Sequence, residues 1–219
     1  MSKDLEFILK EGAREVGVLL NQEMIQMLMI YLKELKEWNQ KVNLTSLKRD
    51  TNIIIKHFID SLSLVPYLSS ATSLLDLASG AGFPGIPIKI VKPSLKVSLL
   101  EATRKKVNFQ RHLIRLLGLT QVNAIQGRAE SLKSESGSAF SFDIVTSRAF
   151  SRLEKFLMLG KPFVKKGGYL IAMKGRQAKE ELKDSQDLLK SLSFEVSKIK
   201  ELTLPIYKER RYLIFLKKM

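Results

Sequence analysis

The sequence predicts an α/β fold: a mostly parallel sheet wound with helices, ended by an antiparallel hairpin and preceded by a helical extension. Three observations predict it. First, the apolar run Leu74–Leu77 empties into the glycine-rich stretch Ala78-Ser79-Gly80-Ala81-Gly82-Phe83-Pro84-Gly85, and after a helix-like segment the run Val97–Leu100 ends on Glu101. Second, apolar runs alternate with helical patterns as far as Met173, which argues for β-α units and a parallel sheet. Third, two extended runs with no helix between them close the chain, and consecutive strands joined by a loop can pair antiparallel.

Each element has its own signal. Residues 1–70 read as helices. Asn21 can cap a helix whose apolar positions Met24, Leu28, Tyr31, Leu32 and Leu35 recur at helical spacing. Met24, Met27 and Met29 read as core filler. Trp38 to Thr45 forms a polar turn, and a second helix, roughly 50–67, carries His57, Asp60 and Ser61 on one side. Here Trp38 is expected to pack, and His57 to make a local hydrogen bond. Beyond Glu101, Val122–Gln126 is a third strand, and Gly127-Arg128-Ala129-Glu130 is a polar turn able to read an adenine edge. Residues 133–141, rich in serine and glycine, read as a surface loop. Phe142–Thr146 is a fourth strand that ends at Ser147-Arg148-Ala149-Phe150. A helical pattern from Leu153 to Phe163 leads through Lys165-Lys166-Gly167-Gly168 into a fifth strand, Tyr169–Met173. After a helical stretch at 177–191, Phe194–Leu202 and Arg211–Leu216 form the hairpin, with Pro205 in its loop. The division is a helical region 1–70 and an α/β domain 71–219.

The glycine-rich turn admits two ligands. Gly80, Gly82 and Gly85 satisfy G-x-G-x-x-G, the pattern that seats a dinucleotide pyrophosphate on a helix N-terminus. Proline at 84 and 87 removes two N–H donors where a pyrophosphate would want them. S-adenosylmethionine has no phosphate and carries a positive sulfonium, so it favours an acid at the strand end, here Asp76. In either case Glu101 can accept from a ribose diol. A ligand-free strand-to-helix connection is the plain alternative. Five β-α units plus a terminal hairpin look like the seven-stranded sheet of class I S-adenosylmethionine-dependent methyltransferases, a Rossmann-like fold. A nicotinamide domain would continue with parallel units.

Composition narrows the chemistry. The 219 residues are enough for one domain with a substantial core. There is no apolar run of transmembrane length and no signal-peptide start, so a cytoplasmic protein is expected, with no membrane partner. With no cysteine there is no disulfide or thiolate, and two histidines at 57 and 112 make a metal site unexpected. The net charge of +15 is one-sided: residues 1–70 carry 9 Lys+Arg and 9 Asp+Glu, and residues 71–219 carry 28 and 13. Together with a pI of about 9.9, this points to a polyanionic substrate, nucleic acid above all. Lys165, Lys166, Lys174 and Arg176 are the cations expected to meet it.

Several motifs together resemble one family. They are Asp76–Gly85 with Pro87, Arg128-Ala129-Glu130, Ser147-Arg148-Ala149-Phe150, Lys174-Gly175, Asn43-Leu44-Thr45 and His57-Phe58-Ile59-Asp60-Ser61-Leu62. Over nearly the whole chain they are similar to the bacterial 16S rRNA guanine-N7 methyltransferases, also called glucose-inhibited division protein B. The resemblance implies methyl transfer from S-adenosylmethionine to N7 of a guanine in the 530-loop of small-subunit rRNA; apart from it, a monomer is expected. Two positions depart from the pattern: Ala78 stands for the family's first glycine, and Lys56 for an arginine. Carried over, Asp76, Ala78, Gly80, Gly82 and Phe83 line the methionine and ribose end of the cofactor. Glu101 takes the ribose hydroxyls, and Ala129 and Glu130 flank the adenine. Arg148 faces the reacting centre and orients the substrate, unless it is spent on an ion pair to Asp76 or Glu130. Phe150 either stacks on the guanine or packs beneath it.

What is missing agrees with N7. Methylation at pyrimidine C5 generally uses a cysteine, and amine methylation an Asn/Asp-Pro-Pro-aromatic motif where this chain has Ser147-Arg148-Ala149-Phe150. Guanine N7 has an in-plane lone pair and no proton to lose, so positioning is the main contribution and no general base is expected. Two other classes stay open: an S-adenosylmethionine-binding ribosome-assembly factor without turnover, and a nicotinamide oxidoreductase.

Overall fold

The structure, a computed structural model, describes residues 3–135, 140–148 and 152–219. Seven strands form one sheet in the order β3-β2-β1-β4-β5-β7-β6. They are β1 (Ser73–Leu77), β2 (Lys96–Glu101), β3 (Val122–Gln126), β4 (Phe142–Arg148), β5 (Val164–Lys174), β6 (Phe194–Thr203) and β7 (Arg210–Lys218). The first five are parallel, and β7 runs antiparallel to both β5 and β6. Chain order reverses between β1 and β4, so the crevice at their carboxyl ends is the switch point where such sheets hold ligands.

Alternation along the strands builds two cores. Leu74, Leu99, Ile144, Ile171 and Phe215 face one, and Leu75, Leu100, Val145, Leu170 and Ile214 face the other. Burial on both faces is why the central strands read as unbroken apolar runs. The first core is shared with α1 (Lys3–Glu15), α2 (Gln22–Asn39), α5 (Gly85–Val91), α6 (Arg104–Leu116) and the helical segment before β1. The amino-terminal helices therefore pack on the sheet itself. The second face is covered by α7 (Ala129–Glu135), α8 (Leu153–Gly160), α9 (Ala178–Asp184) and α10 (Gln186–Ser191).

Asn21 caps α2, its side chain accepting from Met24 N at 2.8 Å. The second amino-terminal helix begins with α3 (Asp50–Ile53), widens into a π-helix over Ile54–Ile59 and ends as α4 (Asp60–Leu62). It stops short of 67, and Val65–Tyr67 is a 3-10 turn entered through Pro66. Strand β4 runs past Thr146 to Arg148. Strand β5 begins at Val164, so Lys165–Gly168 lies inside it as a break in register. Gly167 there has φ +78, and a Cβ on Gly168 would come within 2.7 Å of the Asp143 carbonyl. The 177–191 stretch divides at Ser185 into α9 and α10. Ala149, Phe150 and much of the 133–141 loop lie outside the described residues. No helix among the described residues is long and apolar enough to cross a membrane.

Candidate active site

The turn after β1 is closed by Asp76. Its buried Oδ2 accepts from Gly85 N at 2.8 Å, at the first residue of α5. Gly85 must lack a side chain, because a Cβ there would collide with Leu99 and stand 3.0 Å from that same oxygen. Ile86 N and Ile88 N bond Gly82 O and Pro84 O, and prolines 84 and 87 carry no N–H. The N-terminus of α5 is thus capped by the chain's own carboxylate. The glycine pattern matches a dinucleotide loop in spacing, yet the donors that would hold a pyrophosphate are spent.

Other groups of the loop are pinned as well. Gln110 donates to Ser79 Oγ and Gly80 O, both at 2.8 Å, and Ser79 N bonds Leu100 O. From α2, Tyr31 Oη donates to Ala81 O at 2.5 Å. Gly80 has φ +59 and nothing within 4 Å of where its Cβ would be, so its face of the loop opens on the crevice. Ala78, with φ +60, holds a left-handed conformation that disfavours a side chain by about 1–2 kcal/mol.

Beside this loop, at the ends of β1, β2 and β3, is a cavity of about 240 Å³, lined by Leu77, Ala78, Leu100, Ala102, Ala129 and Glu130 among others. Apolar side chains of Leu77, Leu100, Ala129 and Leu159 give it a surface for a heteroaromatic ring, and Arg128, Lys155 and Glu130 supply charged groups around it. Glu101 Oε2 accepts from Gly80 N at 2.9 Å and Oε1 from Thr103 N at 2.8 Å, leaving each oxygen a further lone pair. Asp76 Oδ1 is buried and accepts no hydrogen bond from the described residues. Burial pushes the Asp76 carboxyl up to about 7, against the Gly85 hydrogen bond and the Arg148 charge. A buried acceptor of this kind is satisfied by a donor or a cation. The donor set therefore fits an adenosine that carries a cationic tail and no phosphate, as S-adenosylmethionine does.

Arg148 closes the crevice from β4. Its Nη1 donates to Lys56 O at 2.6 Å and lies 3.7 Å from Asp60 Oδ2, and the guanidinium sits 5.0 Å over the Phe83 ring. The ion pair considered for it with Asp76 or Glu130 is made with Asp60 instead, because the π-helix brings Asp60 and the Lys56 carbonyl to it. Phe83 is buried in an aromatic group: stacked on Tyr31 at 5.0 Å, it also meets His57 at 4.7 Å and Phe58 at 5.7 Å. The nitrogen Nε2 of His57 is 2.8 Å from Thr45 Oγ1. Burial, then the Arg148 charge, lowers His57 to about 3, so it is neutral at pH 7. A chain of charges backs the site: Arg211 bridges Asp60 and Glu209, and Glu209 pairs with Lys56.

The expected RNA cations divide. Lys174 is not a surface charge: it is buried at the end of β5 and paired with Glu181 at 2.8 Å. The same Glu181 oxygen accepts from Leu153 N, so this pair ties β5 to the start of α8. Lys165 and Lys166 are exposed at the amino end of β5, the sheet edge opposite the crevice, and Lys165 pairs with Asp143 at 2.9 Å. Arg176 is exposed at the crevice edge.

Comparison with known proteins gives the family. The family model GidB, rRNA small subunit methyltransferase G, matches residues 24–212. The chain belongs to this family. A ribosomal RNA small subunit methyltransferase G from Geobacter sp. (strain M21) is 42% identical over 214 residues, covering 98% of each chain. Another, from Thermoanaerobacter sp. (strain X514), is 39% identical over 220 residues, covering 100% of this chain and 91% of that one. Among solved structures, a SAM dependent methyltransferase from Aquifex aeolicus superposes with TM-score 0.55 at 16% identity, covering 77% of this chain and 93% of that one. A precorrin-6y C5,15-methyltransferase from Geobacter metallireducens gives 0.55 at 14%, covering 73% and 87%. These two likenesses carry the fold alone.

Within this GidB family chain, the sequence motifs brought Asp76, Glu101 and Arg148 to one crevice, but three contributors were not singled out as site residues. Tyr31 counted only as an apolar helix position, Arg211 as the start of the last extended run, and Glu209 carried no reading. The signal for Tyr31 was a hydroxyl on an otherwise apolar helix face.

Proposed function

We propose that this chain is an rRNA methyltransferase that modifies N7 of a guanine in the 530-loop of 16S rRNA, acting as a monomer in the cytoplasm. The reading is carried by a crevice whose helix N-terminus is already capped by Asp76, in a chain of the GidB family. Bound S-adenosylmethionine supplies an electrophilic methyl on a sulfonium. Asp76 Oδ1 meets the cationic end of the cofactor, with the turn 78–83 around it. Glu101 accepts from the ribose hydroxyls with its remaining lone pairs, and Ala129 and Glu130 flank the adenine. Arg148, fixed by Lys56 O, Asp60 and Phe83, orients the guanine through a single N–H to O6, because the usual two-pronged arginine contact to O6 and N7 would cover the atom that is methylated. Because N7 carries no proton, the site works by alignment, and His57 stays neutral against Thr45.

The product tests the reading. A methyl on N7 puts positive charge on the imidazole ring and makes the strand cleavable by borohydride followed by aniline. Small-subunit rRNA from cells lacking the protein should lose one such cleavage, and protein with S-adenosylmethionine should restore it. The Arg148→Ala variant should restore it about 100-fold more slowly, the scale of a misaligned reactant, while binding S-adenosylhomocysteine normally. Cleavage unchanged in the deletion strain would favour an assembly factor that binds the cofactor without turnover. Transfer to a borohydride-insensitive position would mean a different acceptor atom.

A further inference from the structure

The tip of the β6–β7 hairpin is strained beside the active site. Thr203 pairs with Arg210, and Lys174 with Tyr212, so the loop 204–209 closes at the crevice edge of the sheet. Leu204 and Pro205 are buried, and Leu204 N donates to Glu209 O at 2.9 Å. Tyr207 N donates to Pro205 O at 2.7 Å across Ile206, whose φ is +65. A three-residue turn with positive φ is the rare, strained kind, and a β-branched residue there is an outlier. Lys208 is left-handed as well, with φ +52. Ile206 ends up 56% exposed, an apolar side chain held out from a fixed backbone. Its neighbour Tyr207 bonds Asn52 and lies 5.2 Å beneath Lys56 Nζ, and the Lys56 carbonyl is the group that holds Arg148. Lys208 and the exposed Arg210, which lies 3.6 Å from Glu201, follow at once, while Arg211 is held by Asp60 and Glu209.

We propose that Ile206 is a wedge that enters the rRNA base stack and fills the place of the target guanine as that base turns toward Arg148. The proposal rests on the rRNA methyltransferase reading. A base inside a stack must be extruded to reach an enzyme's reacting centre, and unstacking opposes it. Apolar side chains inserted between bases offset that loss, and flanking cations hold the phosphates on either side. Strain of this kind persists where surrounding structure over-determines it and where function uses it. Here Pro205 packs against Gly12 of α1 and Tyr207 against the 50–59 helix, which fix the turn from both sides.

Ile206→Gly separates the wedge from any structural role, because glycine accepts positive φ without strain. The variant should melt at the same temperature as wild type or higher, and bind S-adenosylhomocysteine equally. On folded rRNA its single-turnover methylation should be about 10- to 100-fold slower, the scale of a lost unstacking contact. A short RNA whose target guanine is flanked by abasic sites needs no unstacking, and both proteins should methylate it at one rate. Ile206→Leu, which keeps the bulk, should stay near wild type on both. With 2-aminopurine next to the target, wild type should brighten the probe on binding and Ile206→Gly should not. Equal rates for Ile206→Gly and wild type on folded rRNA would overturn the wedge, as would equal loss on both RNAs. A defect confined to assembled subunits, with naked rRNA normal, would instead make the tip a contact to ribosomal protein. Wild type that methylates neither RNA would overturn the function itself, and the wedge with it.

Discussion

Asp76 is claimed by the fold and by the cofactor site at once. One oxygen caps α5 through Gly85, and the other has no partner among the described residues, which is why burial lifts the carboxyl to about 7. A cationic ligand favours the ionised form, so below about pH 7 the site must lose a proton before it binds. Affinity for S-adenosylmethionine should therefore fall as pH drops from 8 to 6, approaching tenfold per unit below the pKa. Titration calorimetry at pH 6, 7 and 8, in buffers of different ionisation enthalpy, should show proton release at the lower pH. Asp76→Asn should bind more weakly and lose the pH dependence. A pH-independent affinity in the wild type would place the cationic tail elsewhere. The acid at 76 was legible from its place at a strand end. Its protonation was not, because that depends on burial in the folded sheet and on Arg148 and Glu101, which are distant in sequence.

Among the elements, α2 reaches furthest into the site. It packs Tyr31 flat on Phe83 and donates the Tyr31 hydroxyl to Ala81 O inside the cofactor loop. Tyr31→Phe keeps the stacked ring and leaves a buried carbonyl unpaired, which should lower stability by about 1–3 kcal/mol. The stabilisation given by S-adenosylhomocysteine should shrink too, since Ala81 and Gly82 lose their tether. Urea denaturation with and without the ligand measures both effects, and equal stability of the two proteins would show that the hydroxyl carries no load. The strands and the closing hairpin followed from apolar runs and turns, because each strand is specified by its own residues, whereas their order in the sheet did not. The Asp60–Arg211–Glu209–Lys56 chain was not legible. It joins a helix near residue 60 to a hairpin near residue 210, and each charge alone reads as surface.

On the scale of the whole molecule, charge has two edges to choose between. The excess of Lys and Arg in residues 71–219 looked like one basic face, but Lys174 is buried against Glu181, and Lys165 pairs with Asp143. Lys165 and Lys166 also sit at the far edge of the sheet, separated from the crevice by the length of β4, about 20 Å. Arg152 and Arg176 are exposed at the crevice edge, on the segments that follow β4 and β5. If the rRNA strand crosses that edge to place its guanine under Arg148, its phosphates pass these two arginines. The affinity for rRNA should then fall with salt, with a log–log slope of about −0.7 for each phosphate neutralised on a single strand. Arg152→Ala with Arg176→Ala should flatten the slope by about 1.4, two phosphates' worth. Lys165→Ala with Lys166→Ala should change it by less than half as much, and neither pair should alter S-adenosylhomocysteine binding. Filter binding across a salt series decides between them. If the lysine pair flattens the slope more, the backbone runs along the amino edge of the sheet, and the strand must wrap the molecule to bring its guanine to Arg148.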